Sequence, residues 1–254
     1  MPTYNKTNSE LTFNFKYPDI NDPVLSELRN IANITFSPGA SELERTKVII
    51  GITHGLFTHN GDNEPSSIDP ITIIKEAQVG MSFRCVEYCL LANALLWAYG
   101  IGSRVIGLKT SDVETRKYGA GHVVIEFWNS EIQKWVMCDV QAGIIPKLED
   151  VLLSSLELGE SINDKSLSYM SVDNSRFSHD GMFKDLSSYK DWVREYLYFF
   201  DTPIKTTFVN IDRRKEQIAM LIPLEVSPPK SFQGMFTMNA IYTHSTLDFY
   251  PKLP

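Results

Sequence analysis

The chain has 254 residues, 43% apolar and 22% charged, a mix that excludes collagen, coiled coil or wholesale disorder and suffices for a sizeable core. Its 24 basic and 31 acidic residues give a net charge of −7, with basic residues single or in short clusters such as Arg213-Arg214-Lys215, so no nucleic-acid partner is expected. The longest apolar run, Cys89–Ala98, is interrupted by Asn93 and falls far short of the ~20 residues of a membrane span.

The polar start Met1–Lys6 lacks the charged-then-apolar order of a secretory signal. A cytosolic protein, or an exported one whose signal has been removed, is expected. Pro23 opens a short helix over Val24–Asn33, and Ser41 with Glu44 forms a capping box for a second. Val48, Ile49, Ile52 and Leu56 mark the second helix's apolar face. His59–Ser67 reads as a loop, and Asp69-Pro70 starts a third helix that ends at Gly80. Cys85–Tyr99 is apolar on nearly every side and stops at Gly100, which predicts a helix buried all round.

From Gly102 the period changes to that of strands: Ser103–Lys109, His122–Trp128 and Lys134–Val140, joined by polar turns and therefore antiparallel neighbours. Further on, Leu148–Leu158 predicts a helix, Gly159–Lys184 a loop-rich stretch, and Ser187–Phe200 a helix with Trp192, Tyr196 and Phe199 on one core-facing stripe. Thr206–Asp212, Gln217–Val226 and Gly234–Thr243 predict strands. Helices first, strands next and a mixed tail predict an α+β fold. The expected division is a core over 1–145 and an α/β extension over 146–254 packed on it, with 147–201 covering a cleft.

Three cysteines, Cys85, Cys89 and Cys138, are too few for a disulfide framework. Cys85 lies where its helix begins, near free backbone N–H groups and the positive end of the macrodipole, a position that favours thiolate. His122 opens one strand and Asp139 ends the next, so a hairpin about Asn129–Gln133 makes them near-opposite. Nucleophile, base and carboxylate are the parts that thiol catalysis requires. A metal site from Cys85, Cys89, His122 and Asp139 is the competing minority reading, since Cys85 and Cys89 share a helix face. Cys138 faces away from Asp139 and leaves no third sulfur. His54 reads as packing or solvated, His59 as a cleft residue without a function, and His179 and His244 as solvated.

Three segments resemble the transglutaminase-like superfamily. Arg84-Cys85-Val86-Glu87-Tyr88, running on to Gly100-Ile101-Gly102-Ser103-Arg104-Val105, is similar to its cysteine helix and following strand. Gly121-His122-Val123-Val124-Ile125-Glu126-Phe127-Trp128 is similar to its histidine strand, and Lys134-Trp135-Val136-Met137-Cys138-Asp139 to its aspartate strand. The likeness spans about 80–141 and includes spacing: 15 from Cys85 to Gly100, 17 from His122 to Asp139 and 4 from Trp135 to Asp139. It implies a papain-like core with a buried cysteine helix on an antiparallel sheet, a catalytic triad of Cys85, His122 and Asp139, and acyl-thioester chemistry on a peptide or protein amide. Water as acceptor gives a peptidase or amidase, an amine gives a transglutaminase. The peptide N-glycanase branch shares some wording, but its paired CxxC motifs are absent and that activity is not carried over.

Val140-Gln141 stands where many members have Pro-Thr, and Cys89 where many have a small residue. The second oxyanion donor is unassigned among His54, His59 and Ser82. No cofactor is expected, and no Asp-x-Asp-x-Asp-Gly loop implies calcium. The alternative function is a non-catalytic binding or scaffold domain that keeps the fold.

Overall fold

The computed structural model describes residues 2–173, 181–209 and 215–253. Four helices come first: α1 (Pro23–Ala32), α2 (Glu42–Leu56), α3 (Pro70–Gln78) and α4 (Cys85–Ala98). The first three start where short polar side chains can satisfy the free N–H groups of a first turn. Asp22 accepts from Val24 N at 2.9 Å, Asp69 from Thr72 N at 2.8 Å, and Ser41 exchanges bonds with Glu44 in a full capping box.

Strands β1 (Ser103–Lys109), β2 (Gly121–Asn129) and β3 (Lys134–Cys138) follow as an antiparallel meander, with Leu108 opposite His122 and Trp128 opposite Trp135. The chain continues through β4 (Ile144–Leu148), β5 (Val151–Leu152), α5 (Ser155–Ser161), β6 (Leu167–Ser171), α6 (Leu186–Val193) and a 3-10 turn (Arg194–Tyr196). It ends with β7 (Phe199–Pro203), β8 (Ile218–Leu221), β9 (Ser231–Phe232), β10 (Phe236–Thr237), β11 (Ala240–Thr243) and α7 (Thr246–Phe249). The main sheet has the order β11-β8-β7-β1-β2-β3, antiparallel except for the parallel pair β11 and β8. β4, β5 and β6 form a separate antiparallel sheet.

The fold is α+β, with the cysteine helix buried against the antiparallel part of a mixed sheet. Alternation along the strands divides two cores. Val105, Val123, Ile125, Phe127, Val136 and Cys138 face α1–α4, where Leu91, Leu95 and Leu96 are fully buried. Ile106, Leu108, Val124 and Met137 face the opposite side and pack with Leu156, Tyr189, Val193 and Phe249 from the later elements. α4 is thus enclosed by helices on one side and the sheet on the other, which is why its sequence shows no polar face. No helix among the described residues is long and apolar enough to cross a membrane.

Several expectations need correction. In α2 the core takes Thr46, Ile49, Ile50, Thr53 and His54, whereas Val48 and Ile52 are exposed. The helix expected over 148–158 is the end of β4, then β5 and the start of α5; the stretch 159–184 contains β6, zipped to β4 from Leu167 opposite Leu148 to Ser171 opposite Ile144. The helix expected to reach Phe200 stops at Val193, passes through the 3-10 turn and becomes β7, so Phe199 leaves the stripe for another cluster. No strand is assigned at 206–209, and 210–212 lie outside the described residues. The strands expected over 217–226 and 234–243 shrink to β8, β10 and β11. These are short segments whose pairing is set by distant partners and not by local periodicity.

Candidate active site

Cys85 is the first residue of α4. Its approach is fixed by Glu87, fully buried in the first turn, which accepts from Arg84 N at 3.1 Å and pairs with the Arg84 guanidinium at 2.7 Å. Arg84 also meets Glu64, so its positive charge is engaged by two carboxylates and is not a free field on the thiol. One turn further on, Cys89 donates its thiol to the Val123 carbonyl at 3.1 Å. That contact sets α4 across the start of β2 and brings Cys85 to the strand end where His122 stands.

His122 follows Gly119, whose φ of +65° belongs to the left-handed region that glycine enters without strain. Its Nε2 lies 2.7 Å from Asp139 Oδ2. Asp139 opposes Val124 by the register of the hairpin, one pair along from His122 on the same face. The aspartate also opens the turn into β4: Ala142 N donates to Oδ1 at 3.0 Å, and Ile144 N and Gly143 N bond its carbonyl. Tyr189 from α6 donates its hydroxyl to Oδ2 at 3.0 Å. Because Asp139 occupies Nε2, Nδ1 is left for the Cys85 thiol, which hydrogen-bonds His122. The three residues singled out in the sequence are brought together, with sulfur, imidazole and carboxylate in that order.

The electrostatics follow from these contacts. Burial pushes the Cys85 thiol up, but hydrogen bonds and charge from His122 and His59 outweigh it and bring the thiol down to about 6. Burial pulls His122 down, yet the adjacent Asp139 charge and hydrogen bond, helped by Cys85, raise it to about 10. Asp139 would be raised by burial, and His122, Ala142 N and Tyr189 hold it below the usual carboxylate range instead. Between those limits the pair rests as thiolate and imidazolium.

Sequence reasoning read His59 as a cleft residue without placing it against the sulfur, and it missed the roles of three others, Trp192, Tyr196 and Tyr189. His59 hydrogen-bonds the same thiol. Trp192 packs edge-on to the His122 ring with centroids 4.7 Å apart, and Tyr196 lies 6.2 Å away; these two shield the imidazole and are not merely core. Tyr189 completes the donors to Asp139. The aromatic stripe was a visible signal, but its target was not. His54 is buried packing: Nδ1 meets the Val140 carbonyl at 2.9 Å, and its ring fills the space where a Cβ on Gly143 would fall, at 2.8 Å. Ser82 bonds Thr58 at 3.0 Å. His244 is half-buried with Nδ1 2.9 Å from the Pro223 carbonyl, not solvated, and His179 lies outside the described residues. Cys89 and Cys138 are buried, Cys89 engaged with the Val123 carbonyl and Cys138 on the α4-facing side of β3, and among the described residues no group of three or more His, Cys, Asp or Glu side chains is placed to hold a metal ion.

No family model and no curated protein matches the sequence. Among solved structures, one described as a "Putative Cysteine Protease" from Cytophaga hutchinsonii is similar at 12% identity and a TM-score of 0.36, over 61% of this chain and 49% of that one. The chain thus spans about half the length of that protein, and a likeness at this level bears on neither its activity nor its substrate.

Proposed function

We propose that the chain is a thiol enzyme of the transglutaminase-like type that forms an acyl-thioester from a peptide or protein amide. The supporting observation is the Cys85 thiol hydrogen-bonded to an imidazole whose far nitrogen is held by a buried carboxylate. The Cys85 thiolate attacks the amide carbonyl carbon, and the C–S bond forms as the carbonyl π pair moves to oxygen. Collapse expels the amine, which takes its proton from the His122 imidazolium. His122, now neutral, removes a proton from water or an incoming amine as it attacks the thioester, and the thiolate and imidazolium are restored when sulfur leaves. Asp139 holds the ring and stabilises the imidazolium throughout. Burying an imidazole and a carboxylate together is costly unless both are paired, as His122 and Asp139 are.

Turnover by this route needs the thiolate and the imidazolium together, so its rate rises through about pH 6 and falls through about pH 10. The test is to incubate the protein with a proteolytic peptide library, quench in acid and analyse it by mass spectrometry. An acyl adduct on the peptide bearing Cys85, discharged by hydroxylamine and absent from Cys85→Ala, is expected. No adduct between those limits, or one that persists in Cys85→Ala, contradicts the reading.

A further inference from the structure

Two imidazoles, His122 and His59, favour the thiolate of one sulfur, and only one of them is built as a base. His122 has Asp139 behind it; among the described residues no carboxylate hydrogen-bonds His59. The segment carrying His59 is instead fastened to the backbone that leads into α4. His59 pairs with Phe83 as an isolated bridge, Asn60 N donates to the Phe83 carbonyl at 2.7 Å, and Thr58 Oγ1 meets Ser82 Oγ at 3.0 Å. Just before it, the Phe57 ring packs on Phe83 at 5.3 Å and on Tyr88 at 4.1 Å. His59 is therefore held two residues across from Cys85 by a strap that does not depend on the triad.

We propose that His59 is a catalytic hydrogen-bond donor to the oxyanion, the partner of the Cys85 backbone N–H, an inference that rests on the acyl-transfer reading above. At rest the imidazole N–H donates to the thiolate. When sulfur attacks, negative charge leaves sulfur and appears on the carbonyl oxygen two bonds away. A donor fixed beside sulfur then follows the charge with a small swing and no new desolvation. The Cys85 N–H, in the first turn of α4, has no intrahelical acceptor and is free to donate to the same oxygen. The role needs only an N–H, so an amide can replace the imidazole, which a base could not tolerate.

The test separates oxyanion stabilisation from thiol ionisation with two probes. Acylation by p-nitrophenyl acetate passes through a tetrahedral oxyanion; alkylation by iodoacetamide does not. Both rates are read on the alkaline plateau of each variant's own profile, where differences in thiol ionisation drop out. His59→Phe is expected to slow acylation roughly 100-fold, the usual loss for one such donor, with alkylation within about threefold of wild type. His59→Gln, which keeps an N–H and guards against a folding defect in the first variant, is expected to restore most of the acylation rate. Parallel loss in both probes, unchanged acylation in His59→Phe, or a His59→Gln as slow as His59→Phe overturns the role while leaving an active Cys85 enzyme. A wild type that is not acylated at Cys85 overturns the underlying reading and this inference with it.

Discussion

Asp139 is almost inaccessible to water, and a buried carboxylate remains ionised only where donors replace its lost hydration. His122 Nε2, Ala142 N and the Tyr189 hydroxyl do so here. Tyr189 comes from α6, well outside the segment whose wording resembles a known superfamily. Hydrogen bonds to buried charged groups contribute about 1.5–3 kcal/mol, so Tyr189→Phe is expected to lower unfolding stability by about 2 kcal/mol. The urea midpoint at neutral pH measures this, and a loss below about 0.5 kcal/mol contradicts the role given to that hydroxyl. As candidates, Cys85, His122 and Asp139 could be singled out in the sequence because each stands at the boundary of a strongly patterned element. His59 could be placed in the cleft but not against the sulfur, and Tyr189 not at all: they reach the site through contacts 26 and 50 residues apart in sequence, to Cys85 and Asp139, and no local pattern encodes such contacts.

At the scale of elements, legibility followed how much of the stabilisation is local. α4 announces itself because both its surroundings are apolar, and α2 because Ser41 and Glu44 cap it whatever the rest of the chain does. The β2–β3 hairpin was legible from two alternating runs about a polar turn, where Asn129 Oδ1 accepts from Glu131 N at 3.0 Å and Ile132 N at 3.2 Å. β5, β9 and β10 are two residues each, too short to carry a period, and exist because a neighbour pairs with them. The aromatic stripe was correctly read as inward-facing at Trp192 of α6 and at Tyr196 of the 3-10 turn. The chain's departure into β7 after the 3-10 turn was not, because Phe199 continues the helical spacing while its backbone pairs in the sheet. Burial of Phe200 opposite Leu108 and Leu221 outweighs the local preference.

Across the whole molecule, strands from either side of residue 145 share one sheet. β7, from the later half, pairs directly with β1 of the earlier half. Arg104 on β1 bonds Glu126 at 2.7 Å and the Phe249 carbonyl at 2.7 Å, with its guanidinium 4.5 Å from the Trp135 ring centroid and 4.8 Å from that of Tyr250. Lys109 on β1 meets Asp201 on β7. Removing the later half would take the Asp201 carboxylate from Lys109 and the Phe249 carbonyl and Tyr250 ring from Arg104, which would keep Glu126; losing a partner of a buried charge is destabilising. We therefore propose that 1–145 and 146–254 fold as one cooperative unit. Urea unfolding followed by near-ultraviolet dichroism and by Cys85 accessibility is expected to give coincident transitions. Two transitions separated in urea, or a folded and thiol-reactive 1–145 fragment, contradict that proposal.

The most direct measurement of the central claim is the pH dependence of Cys85 alkylation by iodoacetamide in the wild type and in His122→Ala. The contacts at the sulfur predict a wild-type rate that rises through about pH 6, and a His122→Ala profile displaced upward towards the ordinary thiol value of about 8.5. A wild-type inflection already in that ordinary range, or one that the substitution leaves in place, would contradict the account.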